Sequence, residues 1–236
     1  MKTDSKIAIG ISSVLVGRGI FLFIWVLPLI FTWLAFGTPY STPEETGKKY
    51  TQNDYLRKAV KYSVFKWQKI YSIENIMPSL LISEQYNEVI KYYEQMEKAN
   101  IETNIAKTLS TYAYIETGKY DKALQLAKET NSLYQQARIY VDTKDLDNAK
   151  KTVEKIFSTK KNAPNAYLYV AEIQLLEGHH KSALQSIDKL LTINPKHVEA
   201  LEVKAKIYES LGQKIKAEVH YLKAKQIKDE RRQKGY

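Results

Sequence analysis

Apolar and small side chains in the C-terminal half of the chain recur at helical spacing, and the arrangement returns after 34 residues. Ala171, Gly178 and Ala183 are followed 34 positions later by Ala205, Gly212 and Ala217. Tyr167 and Leu201 open the two copies, and Ile187 and Tyr221 continue them. A period of about 34 residues, with Gly at its centre, predicts two helices joined by a tight turn. Small residues at fixed places let those helices approach closely. One hairpin alone cannot bury its apolar stripe, so the pattern predicts an all-α solenoid of stacked hairpins.

The N-terminal pattern is different. After a tail over 1–18, the run Gly19–Phe36 carries no charge and is dominated by large apolar residues. A transmembrane helix needs about 17–25 such residues, so 19–37 is read as a signal anchor. Trp25 and Trp33 lie within it, Tyr40 follows it, and Pro28 is tolerated in a lipid-embedded helix. Arg18 is read at the headgroup boundary; a helix starting at Ile7 would instead carry it into the bilayer, where it needs a partner. Ala35-Phe36-Gly37 also fits a cleaved signal peptide, which is the rival to a retained anchor. Lys2, Lys6 and Arg18 before the run, and Glu44 and Glu45 after it, favour an extracytoplasmic repeat domain. Lys48, Lys49, Arg57, Lys58 and Lys61 argue the other way.

Two Pro, one Gly and several hydroxyls mark 38–53 as a linker. Over 54–69, with Asn53 or Asp54 as cap, Leu56, Ala59, Val60, Ser63 and Trp67 recur at helical spacing, continuing to Ile70. This leading amphipathic helix has a basic opposite face, Arg57, Lys58, Lys61 and Lys69. It either covers the apolar edge of the first hairpin or rests on anionic headgroups, the first reading being preferred.

Composition narrows the chemistry. The 236 residues contain no Cys, which excludes disulfides, thiolate metal sites and Cys nucleophiles. A net charge of +10 permits contact with anionic surfaces. Eighteen Tyr against six Phe supply half-apolar, half-polar side chains suited to grooves and helix packing alike. His179 and His180 stand together in a turn and His197 and His220 elsewhere, a distribution unlike a metal site. No GxxxxGK[ST], HExxH or GxSxG is present, so no catalytic residue, cofactor or metal is expected. No nucleic-acid module accompanies the basic surplus.

Residues 70–231 resemble the tetratricopeptide repeat (TPR) family. Counted from Pro164, Tyr167, Ala171, Gly178, Ala183 and Pro195 fall on the family's positions 4, 8, 15, 20 and 32. Leu201, Ala205, Tyr208, Gly212, Ala217, Tyr221 and Ala224 do so from Val198, and Leu133, Ala137, Tyr140, Leu146, Ala149 and Val153 from Thr130. The best-defined repeats are therefore 130–163, 164–197 and 198–231, with Ala137, Ala149, Ala171, Ala183, Ala205 and Ala217 as packing residues. A shortened repeat begins near Asn104, and a degenerate one near Ile70 with Pro78 inside its first helix. The tail is 232–236.

The resemblance implies a concave groove lined by the first helix of each repeat, receiving a protein or peptide segment. Its positions 2, 5, 9 and 12 include Thr108, Tyr112, Tyr134, Arg138, Leu168, Glu172, Glu202 and Lys206. Glu74, Pro78, Tyr112, Asn131 and Gln135 do not reproduce the Lys, Asn and Arg clamp that family members use on chaperone tails. Val219 and Leu222, among the lysines of the last helix, mark an end able to contact a partner or a second copy. The expectation is a single-pass membrane-anchored TPR scaffold that helps assemble or tether an envelope complex, with no enzymatic activity. The alternative is a polyanion- or anionic-lipid-binding membrane protein.

Overall fold

The computed structural model describes residues 26–34, 52–160 and 163–233. Most of the N-terminal tail, apolar run and linker, and the last three residues, lie outside the described residues. Within the apolar run, 26–34 is helical, and the Thr32 hydroxyl donates to the Pro28 carbonyl at 2.9 Å. Among the described residues no helix is long and apolar enough to cross a membrane.

Eleven further helices follow and the described residues contain no strand. They are α1 (Gln52–Tyr62), α2 (Lys66–Ile82), α3 (Tyr86–Lys98), α4 (Asn104–Glu116), α5 (Tyr120–Glu129), α6 (Leu133–Asp142), α7 (Leu146–Thr159), α8 (Ala166–Leu176), α9 (His180–Ile193), α10 (Val198–Ser210) and α11 (Lys214–Gln233). Their contacts separate into two units, Met1–Leu109 and Ser110–Tyr236, with α4 belonging to both.

In the first unit α1 packs on α2, and α2 on α3. Leu56, Ala59 and Val60 bury the apolar face of α1, and Ile73, Ile76, Met77 and Leu80 that of α2. Polar side chains fix the contact: Asn53 accepts a hydrogen bond from Ser79 and donates to Ser83, the latter at 3.2 Å. Arg57 donates to both oxygens of Glu88 at 2.8 and 2.7 Å, and to Gln85 at 2.6 Å. This guanidinium holds the Glu88 carboxyl below its usual range.

The leading helix was expected to run over 54–69, but α1 ends at Tyr62 and a new helix begins at Lys66. Two side chains make the break. Ser63 donates back to the Ala59 carbonyl at 2.6 Å, and Gln68 accepts the Val64 and Phe65 amides, each at 3.3 Å. Pro78 lies inside α2, which continues through it to Ile82.

Helix pairs α6–α7, α8–α9 and α10–α11 build the second unit by packing in sequence. Ala137, Ala149, Ala171, Ala183 and Ala205 have no exposed surface and Ala217 retains 2%. Around them lie Ile156, Ile173, Ile187, Leu190 and Ile207, all buried. Each first helix ends on a residue with positive φ: Glu84 (58°), Gly118 (72°), Lys144 (59°), Gly178 (78°) and Gly212 (71°). The next amide then closes onto the carbonyl five residues back, as in Asp145 to Tyr140 at 2.8 Å and His179 to Gln174 at 2.7 Å. The positions are 34 apart except between Gly118 and Lys144, where α5 has only 10 residues against 14 in α7 and α9.

The final helix, α11, buries Ala217, Ala224 and Ile227. Its other side leaves Ile215, Val219 and Leu222 exposed at 82%, 57% and 58%.

Candidate functional site

The first helices of the second unit project successive side chains into one cleft of about 500 Å³. Tyr112 comes from α4; Tyr134, Gln135, Arg138 and Asp142 from α6; Leu168, Tyr169 and Glu172 from α8; Glu199, Glu202 and Lys206 from α10. Spacings of three, four and seven residues put such side chains on one helical face. The backbone repeat then aligns that face from one hairpin to the next.

Of the groove residues expected from sequence, Tyr112, Tyr134, Arg138, Leu168, Glu172, Glu202 and Lys206 line this cleft. Thr108 does not; its hydroxyl donates to the Asn104 carbonyl at 2.8 Å. Sequence reasoning named Gln135 only as a position that fails to reproduce the chaperone-tail clamp, and did not single out Tyr169, at position 6 of its repeat, or Asp142, at position 13. The signal was present, because 2, 5, 6, 9 and 13 are one continuous helical stripe. Glu199 and Asn165 fall on position 2 of the same stripe and also line the cleft.

Arg138 organises the electrostatics. Its guanidinium donates to Glu116 at 2.8 Å and lies 3.6 Å from Asp142. Burial opposes its charge, but Glu116, Asp142 and Glu199 outweigh that and raise its pKa. Asp142 is raised by burial, against the pull of Arg138. Glu202 pairs with Lys228 at 2.7 Å.

Glu172 is different. It has no hydrogen bond or ion pair among the described residues. Burial pushes its carboxyl up to about 7, Asp142 adds to the rise, and Lys206 and Arg138 oppose it. Burial also raises the neighbouring Tyr169 phenol, whose ring lies 6.4 Å from that of Tyr134. Lys160 sits over the Tyr134 ring at 5.4 Å. Tyr134 and Tyr169 thus serve the hairpin packing and the cleft wall together.

Charged groups on a rigid wall with aromatic faces between them can hold a polypeptide by its side chains. Among the described residues no group of three or more His, Asp or Glu is placed to hold a metal ion. His197 accepts the Ala200 amide on Nδ1 at 3.3 Å and so caps α10.

Residues 142–224 match the family model for anaphase-promoting complex, cyclosome, subunit 3, a tetratricopeptide-type family. A tetratricopeptide repeat protein from Parabacteroides merdae is similar in structure, with TM-score 0.61 and 15% identity over 82% of this chain and 77% of that one. MamA from Desulfovibrio magneticus gives TM-score 0.45 and 12% identity over 67% of this chain and 94% of its own. YrrB, described as a TPR protein with an unusual peptide-binding site, gives 0.44 and 15% over 73% and 91%. No curated protein matches the chain. The hairpins share the fold of a tetratricopeptide repeat protein.

Proposed function

We propose that this tetratricopeptide-repeat chain is a non-catalytic scaffold whose cleft docks an extended segment of a partner protein, and that residues 19–37 anchor it in a membrane. The observation that carries the reading is the convergence of Tyr112, Arg138, Tyr169, Glu172 and Lys206 from four successive first helices on one cleft. Tyr and Arg are frequent energetic centres of protein interfaces, and helices hold them with little conformational freedom to lose on binding. Tethering or assembly of an envelope complex is the role that an anchored scaffold of this kind fits, with the repeats on the extracytoplasmic side.

The competing reading, binding of polyanions or anionic lipid, is supported less well. Part of the basic face of α1 is already engaged: Arg57 pairs with Glu88, and Lys58 lies 5.7 Å from the ring centres of both Phe31 and Tyr55.

A photo-reactive amino acid at Asn165, on the cleft wall, should crosslink a partner in intact cells. The same residue at Lys151, exposed on the outer helix α7, should not. Equal labelling from both positions, or from neither, removes the docking assignment. Protease access to the C-terminus in sealed cells reports the membrane side.

A further inference from the structure

The cleft is acidic in a protein that is otherwise basic. Four lining carboxylates, Asp142, Glu172, Glu199 and Glu202, face two cations, Arg138 and Lys206, whereas the chain as a whole carries +10. The internal pairs do not cancel this surplus. Arg138 is committed to Glu116 and Asp142, and Glu202 has Lys228. Glu172 and Glu199 are left without an ion pair among the described residues, and Lys206 forms none with either. Of the two, Glu199 is exposed, whereas Glu172 is half-buried on the wall that also carries Tyr169 and Leu168 of α8.

Even half-burying a carboxylate without a partner is costly, and helical repeats offer many sites where an apolar residue would serve packing better. The position makes sense when an incoming cation completes it. We infer that the cleft selects a partner segment bearing an arginine, whose guanidinium pairs with Glu172 and lies against the tyrosine rings of the wall. A guanidinium suits this place better than an ammonium. It is planar, pairs with both carboxylate oxygens, stacks on aromatic faces and is less strongly hydrated. The charge balance agrees: in a chain of net +10 a cationic segment finds an excess of carboxylates in this cleft, which favours selectivity as well as attraction.

Binding is then coupled to protonation. The empty cleft holds Glu172 partly protonated near neutral pH, since its carboxyl titrates about 7. An arriving guanidinium needs the ionised form, so binding releases up to one proton and tightens as pH rises. The charged groups facing Glu172 are Arg138 and Asp142 from α6, and Glu199 and Lys206 from α10. His197, at the start of α10, also lines the cleft and needs its own control.

This inference rests on the docking reading above, and one experiment separates their failures. The full-length chain in detergent micelles is used to select from a displayed library of random nine-residue peptides. Retained peptides are then synthesised, with arginine or with citrulline, its neutral isostere. Peptides that share an arginine are expected, binding about tenfold tighter at pH 8 than at pH 6. Glu172→Gln should weaken them about tenfold at pH 8 and abolish the pH response. Citrulline should do the same, and the two changes together should add nothing further. His197→Asn, which keeps a capping side chain, should preserve the pH response. Circular dichroism checks that both variants are folded. Selected peptides that depend on Tyr112 yet contain no arginine, or are indifferent to Glu172→Gln, overturn the cation assignment and leave the docking cleft standing. A selection yielding no peptide sensitive to Tyr112→Ala or Asn165→Arg overturns both.

Discussion

At Glu172 a feature useful for binding carries a cost to folding. Its carboxyl titrates about 7 in the folded chain against an ordinary 4.5. A carboxyl raised in this way holds its proton more tightly folded than unfolded. The stability it contributes is therefore complete below pH 4.5 and is lost as pH rises through about 7. Glu172→Gln keeps the shape and removes the titration. We predict that it raises stability at pH 8, by on the order of 1–3 kcal/mol, with no gain at pH 4. Denaturant melts at the two pH values measure this, and an equal gap at both would contradict it. A second residue-scale case is the turn after each first helix. Lys144 and Glu84 hold φ of 59° and 58°, where the equivalent residues in three other repeats are Gly. Left-handed backbone costs an L side chain about 1–2 kcal/mol, partly offset by the greater freedom glycine loses on folding. Lys144→Gly should stabilise the chain by about 0.5–1 kcal/mol in a thermal melt. Gly178→Ala should destabilise it by about 1 kcal/mol, although a Cβ there meets no atom within 4 Å.

At the scale of elements, the hairpins depend on close approach of the helices. Ala183 and Ala217, with 0% and 2% exposure, sit where second helices pack against their partners. Ala183→Leu or Ala217→Leu forces extra methyl groups into a filled contact and should cost about 1–3 kcal/mol. Unchanged melting temperatures for both would mean that these helices have room the burial denies. Such positions are legible in the sequence because they recur, and the period of two helices and two turns enforces their recurrence. Lys144 and Glu84 fall on the glycine position by count, but only the backbone reveals that they adopt the glycine conformation there. The break between α1 and α2 was missed for a related reason. Apolar spacing continues across it from Val60 to Trp67, while the helix is ended and restarted by hydrogen bonds from Ser63 and to Gln68. In the cleft, the stripe at positions 2, 5 and 9 follows from helical geometry. The commitment of Arg138 to Glu116, 22 residues away, follows from how neighbouring hairpins stack. That stacking leaves Glu172 unpaired, and no pattern along the chain states it.

For the whole molecule, the proposal joins two regions of opposite character, an uncharged run before residue 37 and a charged repeat array after residue 52. Each buried CH₂ contributes about 0.8 kcal/mol to partitioning, so a run of Leu, Ile, Phe, Val and Trp holds a chain in a bilayer against any salt. Electrostatic attachment of a +10 protein behaves differently, because salt screens it within about 10 Å at 0.1 M. The two modes are therefore separable in one fractionation. We predict that the full chain stays with membranes in 1 M salt and in alkaline carbonate. A variant lacking residues 1–37 should move to the soluble fraction and keep the helical signal of the eleven helices after residue 52, since the buried apolar core of each unit is built from residues after 52. Release of the full chain by salt alone would replace the anchor with a peripheral basic contact. Persistence of the shortened chain on membranes after carbonate would move the attachment into the repeats, where the exposed Ile215, Val219 and Leu222 of α11 would be the first residues to change.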